Sequence, residues 1–155
     1  MTGKEPGRGE VWYKAARIWF YAGKRDKARD YALRALEYYE KKYGIEAYLN
    51  VLDSRLQHVY RIASLRLYAG EIQKARILAE RMKGLPMCLN CRFGSCTDVL
   101  ELEAGILEAE GEIQKAAALY ERILEENGQE PDVRMKLQLV RKQERRRLFE
   151  GVRKR

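Results

Sequence analysis

The chain has one histidine, three prolines and three cysteines in 155 residues. A lone histidine excludes motifs built on a histidine pair, such as the H-E-x-x-H helix of zinc proteases. There is no G-x-S-x-G elbow and no glycine-rich phosphate loop. The carboxylates are abundant but fall at helix-surface spacing. No catalytic arrangement is visible, and the chain reads as non-enzymatic. Scarce proline leaves long stretches free to be helical. An odd number of cysteines argues against a secreted disulfide scaffold. No run approaches the ~18 apolar residues of a membrane span. The start, MTGKEPGRGE, is polar and glycine-rich, unlike a signal peptide. Residues 1–9 read as a disordered arm, and the expected location is the cytoplasm.

Charge is uneven. Residues 1–83 hold 18 basic and 10 acidic side chains, residues 84–132 hold 3 and 11, and residues 133–155 hold 10 and 2. Two blocks of +8 therefore flank one of −8, which the overall +8 conceals.

What is abundant is repetition. GEIQKA occurs at Gly70–Ala75 and at Gly111–Ala116, and GKRDKA at Gly23–Ala28 is a blurred copy. Seven residues before each glycine stands Ala16, Ala63 or Ala104; five residues after it stands Ala28, Ala75 or Ala116. Trp12, Ala15, Ala16 and Trp19 fall at i, i+3, i+4 and i+7, and similar periodicity flanks each glycine. Each unit reads as helix, tight turn, helix. Glycine supplies the left-handed residue that stops a helix sharply. Paired alanines let two helices approach closely.

On these residues the chain resembles the tetratricopeptide repeat family, whose pattern runs W-x2-L-G-x2-Y, then A-x3-F. WYKAARIW (Trp12–Trp19) carries Trp, Ala-Ala and Trp in those places; Ala28 with Ala32, and Ala116 with Tyr120, carry the second part. The resemblance covers about residues 10–127. It implies an all-α fold: an α-solenoid of three helix-turn-helix units (10–44, 45–84, 97–128), with a cysteine loop at 85–97 and a basic capping helix and tail at 131–155. The glycines are 47 and 41 residues apart, against 34 in the family. The first excess, YGIEAYLNVLDSR, reads as a first helix lengthened by about three turns; Ser54 with Gln57 offers a capping box and a break near Asp53 instead. Gly44, Gly84 and Gly128 suit helix ends, Asp98 with Glu101 a helix start, and Pro131 a first turn. Val133, Leu137, Val140 and Leu148 suit a capping helix that covers the last repeat.

The family uses the first helix of each unit to line a concave groove. The resemblance thus implies a protein- or peptide-binding groove. Unit one offers Tyr13, Lys14, Arg17, Phe20 and Tyr21. Unit two offers Tyr60, Arg61, Ser64 and Tyr68, and unit three Glu101, Gly105 and Glu108. Aromatic and basic anchors suit a partner segment with acidic character.

Cys88, Cys91 and Cys96 form C-x2-C-x4-C, and His58 is the one imidazole available as a fourth ligand for zinc. Packing of reduced thiols and redox chemistry are the alternatives. The basic tail suits pairing with the acidic third unit, within one chain or in a homodimer, ahead of nucleic acid.

Overall fold

The computed structural model describes residues 8–51, 55–83, 97–126 and 130–153. Among these, every regular element is α-helical. The elements are α1 (Arg8–Tyr21), α2 (Arg25–Tyr43), α3 (Ile45–Leu49), α4 (Arg55–Tyr68), α5 (Ile72–Lys83), α6 (Thr97–Ala109), α7 (Ile113–Glu126) and α8 (Pro131–Arg153). None is long and apolar enough to cross a membrane.

Three helical hairpins follow directly from the repeated letters. At the first turn Gly23 N–H bonds to Phe20 O at 3.1 Å and Lys24 N–H to Trp19 O at 2.9 Å. The same two bonds close the Gly70 turn (Leu67 O, 3.0 Å; Arg66 O, 2.8 Å) and the Gly111 turn (Glu108 O, 3.0 Å; Leu107 O, 2.9 Å). This pair of bonds satisfies carbonyls that a helix end would otherwise strand. It requires a left-handed residue, and Gly70 has φ +82°. The alanines at the fixed offsets, Ala16 with Ala28, Ala63 with Ala75 and Ala104 with Ala116, are all fully buried. Methyl side chains at the seam let the backbones of each pair come close.

The hairpins pack in chain order. α2 lies against α4, α5 against α6, and the first helices α1, α4 and α6 meet on one side. Gly105 is the closest passage there: a Cβ on it would stand 2.6 Å from Leu67 Cδ2 and 3.5 Å from Phe20 Cζ. α8 packs along α7 and reaches across to α1.

Four expectations need correction. The excess before unit two does not lengthen its first helix. Gly44 ends α2, five residues form the separate α3, and α4 starts at Arg55. The cause is local: Asn50 Nδ2 donates to Glu46 O at 2.7 Å, and a short amide that bonds to backbone carbonyls competes with helix continuation. The capping-box residues Asp53 and Ser54 lie outside the described residues, as do Gly84 and Gly128. Asp98 is not the cap of α6 but sits within its first turn, where its charge faces the positive helix end. Leu148 is 62% exposed, whereas Val133, Leu137 and Val140 are buried, because α8 outruns the bundle it packs on. Arg8 and Gly9 belong to α1, with Gly9 packed beneath Tyr38 and Tyr39.

Nothing lies within 4 Å of a Cβ built on Gly70, so its requirement is conformational alone. Gly70→Ala should destabilise the fold by about 1 kcal/mol in urea unfolding. Gly151→Ala, in an exposed helical position, should leave stability unchanged or raise it. Equal behaviour of the two variants would contradict the turn assignment.

Candidate functional site

The inner faces of α1, α4 and α6 hold the residues that the repeat pattern assigns to a groove. Lys14 is the one among the first nine that is well exposed. Tyr13, Phe20, Tyr21, Ser64 and Tyr68 are buried, and Arg17, Tyr60 and Arg61 are half-buried. Glu101 and Glu108 are buried too.

Burial here joins two ion pairs to a set of aromatic rings. Arg17 Nη1 lies 2.7 Å from Glu101 Oε1 and 3.3 Å from the Tyr60 hydroxyl. Tyr21 donates its hydroxyl hydrogen to the same Glu101 oxygen, and its ring sits 4.7 Å from the Arg17 guanidinium. Phe20 packs on Tyr68 with centroids 4.7 Å apart. Seven residues along α6, Glu108 meets Lys136 of α8 at 2.8 Å. Lys136 also donates to Phe20 O at 3.0 Å and stands 4.1 Å above the Phe20 ring. Arg17 is further drawn to Asp132, at 3.9 Å. The second ion pair was not anticipated from the sequence. Its signal is a lysine inside the apolar stripe Val133, Leu137, Val140, a place where a charge needs a partner.

These surroundings shift the acid–base balance. Burial pushes the Glu101 carboxyl above the usual carboxylate range, more than Arg17 pulls it down. Burial likewise lowers Lys136 against the pull of Glu108. Desolvation raises the phenols of Tyr13, Tyr60 and Tyr68.

A second cluster opens beside this one, between α2, α3 and α4. Tyr38, Tyr39, Tyr43, Tyr48, His58 and Arg61 are among the residues lining a cleft of about 480 Å³. Arg61 Nη1 donates to the Tyr39 hydroxyl at 3.3 Å, and its guanidinium lies 5.0 Å from the Tyr13 ring centroid. Burial pushes the nearby Tyr48 phenol up to about 12, against the pull of Arg61. Lys42 Nζ rests 5.3 Å from the rings of both Tyr38 and Tyr43. Neither Arg61 nor Lys42 has a carboxylate within 4.0 Å among the described residues. Glu10 lines the same cleft but pairs with Lys14 at 3.3 Å.

His58 belongs to this cleft. Its ring stacks on Tyr48 with centroids 3.9 Å apart and planes 4° apart. Its Nδ1–H donates to Tyr48 O at 2.9 Å. Cys88, Cys91 and Cys96 lie outside the described residues. Among those described, no three His, Cys, Asp or Glu side chains gather as a metal site would need. None of the cleft tyrosines had a place in the groove assignment, since Tyr38, Tyr39 and Tyr43 come from a second helix and Tyr48 from the inserted α3. No protein-family model, curated protein or solved structure matches the chain.

Removing one partner of a buried ion pair strands the other. Lys136→Met should therefore cost about 3 kcal/mol, and adding Glu108→Leu should recover most of it. Additive losses in chemical unfolding would show that the pair is not coupled. For Glu101 the sign follows from its raised value. Its contribution to stability is full below the unfolded pKa of about 4.3 and declines as pH rises through the folded value. Arg17→Met should move the Glu101 titration, followed by carboxyl-carbon NMR, further upward; a downward move would contradict the ion pair.

Proposed function

We propose that this chain is a non-enzymatic adaptor that holds an acidic segment of a protein partner, on an α-solenoid of three tetratricopeptide-like units closed by α8. The hairpins, their identical turns and the alanine seams support the repeat reading. The binding surface is the tyrosine-lined cleft between α2, α3 and α4.

One contrast carries this choice. The deeper cations Arg17 and Lys136 are neutralised by Glu101 and Glu108. Arg61, at the same inner face, meets phenol hydroxyls and rings but no carboxylate among the described residues. A half-buried guanidinium gains most from a charge-assisted, two-pronged bond to a carboxylate. Lys42, against the rings of Tyr38 and Tyr43 that line the cleft, adds a second cation beside it. Tyrosines give large contact area at low entropic cost, and tyrosine and arginine dominate the energetics of many interfaces.

Titration of isotope-labelled protein with a Glu-rich peptide, and with its Gln counterpart, tests the reading. Shifts should gather at Tyr39, Tyr48, His58 and Arg61 with the acidic peptide alone. Arg61→Ala should weaken binding at least about tenfold, the loss of about 1.4 kcal/mol. Equal binding of the two peptides, or an unaffected Arg61→Ala variant, would refute it.

A further inference from the structure

The two cationic blocks of the sequence lie at its opposite ends, and the fold brings them together. α8 runs past the end of α1: Lys136 reaches Phe20 O, and a Cβ on Gly23 would be 3.3 Å from Leu139 Cδ1. Leu139, Lys142 and Arg146 fall at i, i+3 and i+7, so they share the face of α8 turned to the Gly23 turn. Immediately after that turn come Lys24 and Arg25, with Arg29 one helical turn on. All five of these Lys and Arg side chains are exposed, and none has a carboxylate within 4.0 Å among the described residues. Arg145 of α8 is equally exposed and unpaired by the same measure.

The acidic block does not answer them. Glu103 pairs with Lys83 at 2.7 Å, Glu108 with Lys136 at 2.8 Å, Glu110 with Arg76 and Glu121 with Arg141. A second copy would bring these same engaged acids, with only Asp98 and Glu125 of the block lacking a cation within 4.0 Å among the described residues. The neighbouring Glu71 is held by Arg66 and Lys74. Asp26 and Asp30 on α2, and Glu144 on α8, dilute the patch without matching its charge.

We infer that the first turns of α2 and the outer half of α8 form one cationic surface that binds the phosphate backbone of nucleic acid without reading its sequence. The shape favours a strand over a lipid plane. Arg25 and Arg29 line a recess of about 470 Å³ that Asp26 and Glu71 also line, alongside Phe20, Leu67 and Ile72, and a phosphate ridge fits a recess where a flat headgroup layer does not. The geometry holds cations on two helices far apart in sequence, as backbone-tracking sites do.

Fluorescence anisotropy of the full chain with scrambled duplex DNA of about 20 base pairs, and with single-stranded RNA of equal length, measures this. Both probes should bind, and two scrambled sequences should bind alike. If six phosphates are contacted, duplex affinity falls about a thousandfold between about 50 and 200 mM salt. Lys142→Glu with Arg146→Glu, and separately Arg25→Glu with Arg29→Glu, should each weaken binding at least tenfold while leaving the thermal melt unchanged. Arg61→Ala should leave it intact, which separates this surface from the peptide cleft. Binding that only one of the two pairs affects would overturn the shared surface. Binding to phosphatidylserine vesicles without binding to either nucleic acid would overturn the choice of ligand.

Discussion

Glu101 and Glu108 stand seven residues apart on α6, and each is buried against a cation delivered by another helix. The inner surface depends on this. A guanidinium from α1 and an ammonium from α8 converge on one helix that had to bring two carboxylates to receive them. Without those acids, Arg17 and Lys136 would be stranded charges in an aromatic interior, and such charges cost several kcal/mol each. With them, α1, α4 and α6 draw together until Phe20, Tyr21 and Tyr68 close over the space that a wider array would leave open. The same ion pairs fix α8, because Lys136 ties it to Glu108 and to the end of α1 at once.

Internal neutralisation also decides which charges remain for others. Acids of the third hairpin are consumed by Lys83, Arg76, Lys136 and Arg141. Cations placed beyond their reach stay uncompensated among the described residues. Two groups of them lie in the tyrosine cleft around Arg61 and at the edge shared by α2 and α8. The first is a half-buried cleft rich in phenol hydroxyls, which suits a carboxylate side chain. The second is exposed and spread over two helices, which suits a line of phosphates. Two surfaces of one sign on one small molecule thus favour different anions through their shape and exposure.

Much of the backbone was legible in the letters. Gly23, Gly70 and Gly111, with alanines seven before and five after, predict three sharp turns between closely packed helices, and the bonds across those turns are alike. Local chemistry suffices there, since a left-handed glycine and a methyl seam act over a few residues. The inserted α3 was harder. YGIEAYLNVLDSR reads as part of one longer helix, whereas the Asn50 amide, bonding back to Glu46 O, ends a short one. Lys136 could have been flagged as a charge in an apolar stripe, but no pattern named Glu108 as its partner.

By itself, the sequence determined the hairpin pairing and the positions of the glycine turns, because these rest on spacing and backbone conformation within some twenty residues. Which groove residues stay accessible was settled only in three dimensions. Arg17 and Arg61 both lie on the first helices of their hairpins, yet one faces Glu101 across 84 positions and the other faces phenols. Charge pairing of this kind depends on distance in space, and helix packing sets that distance.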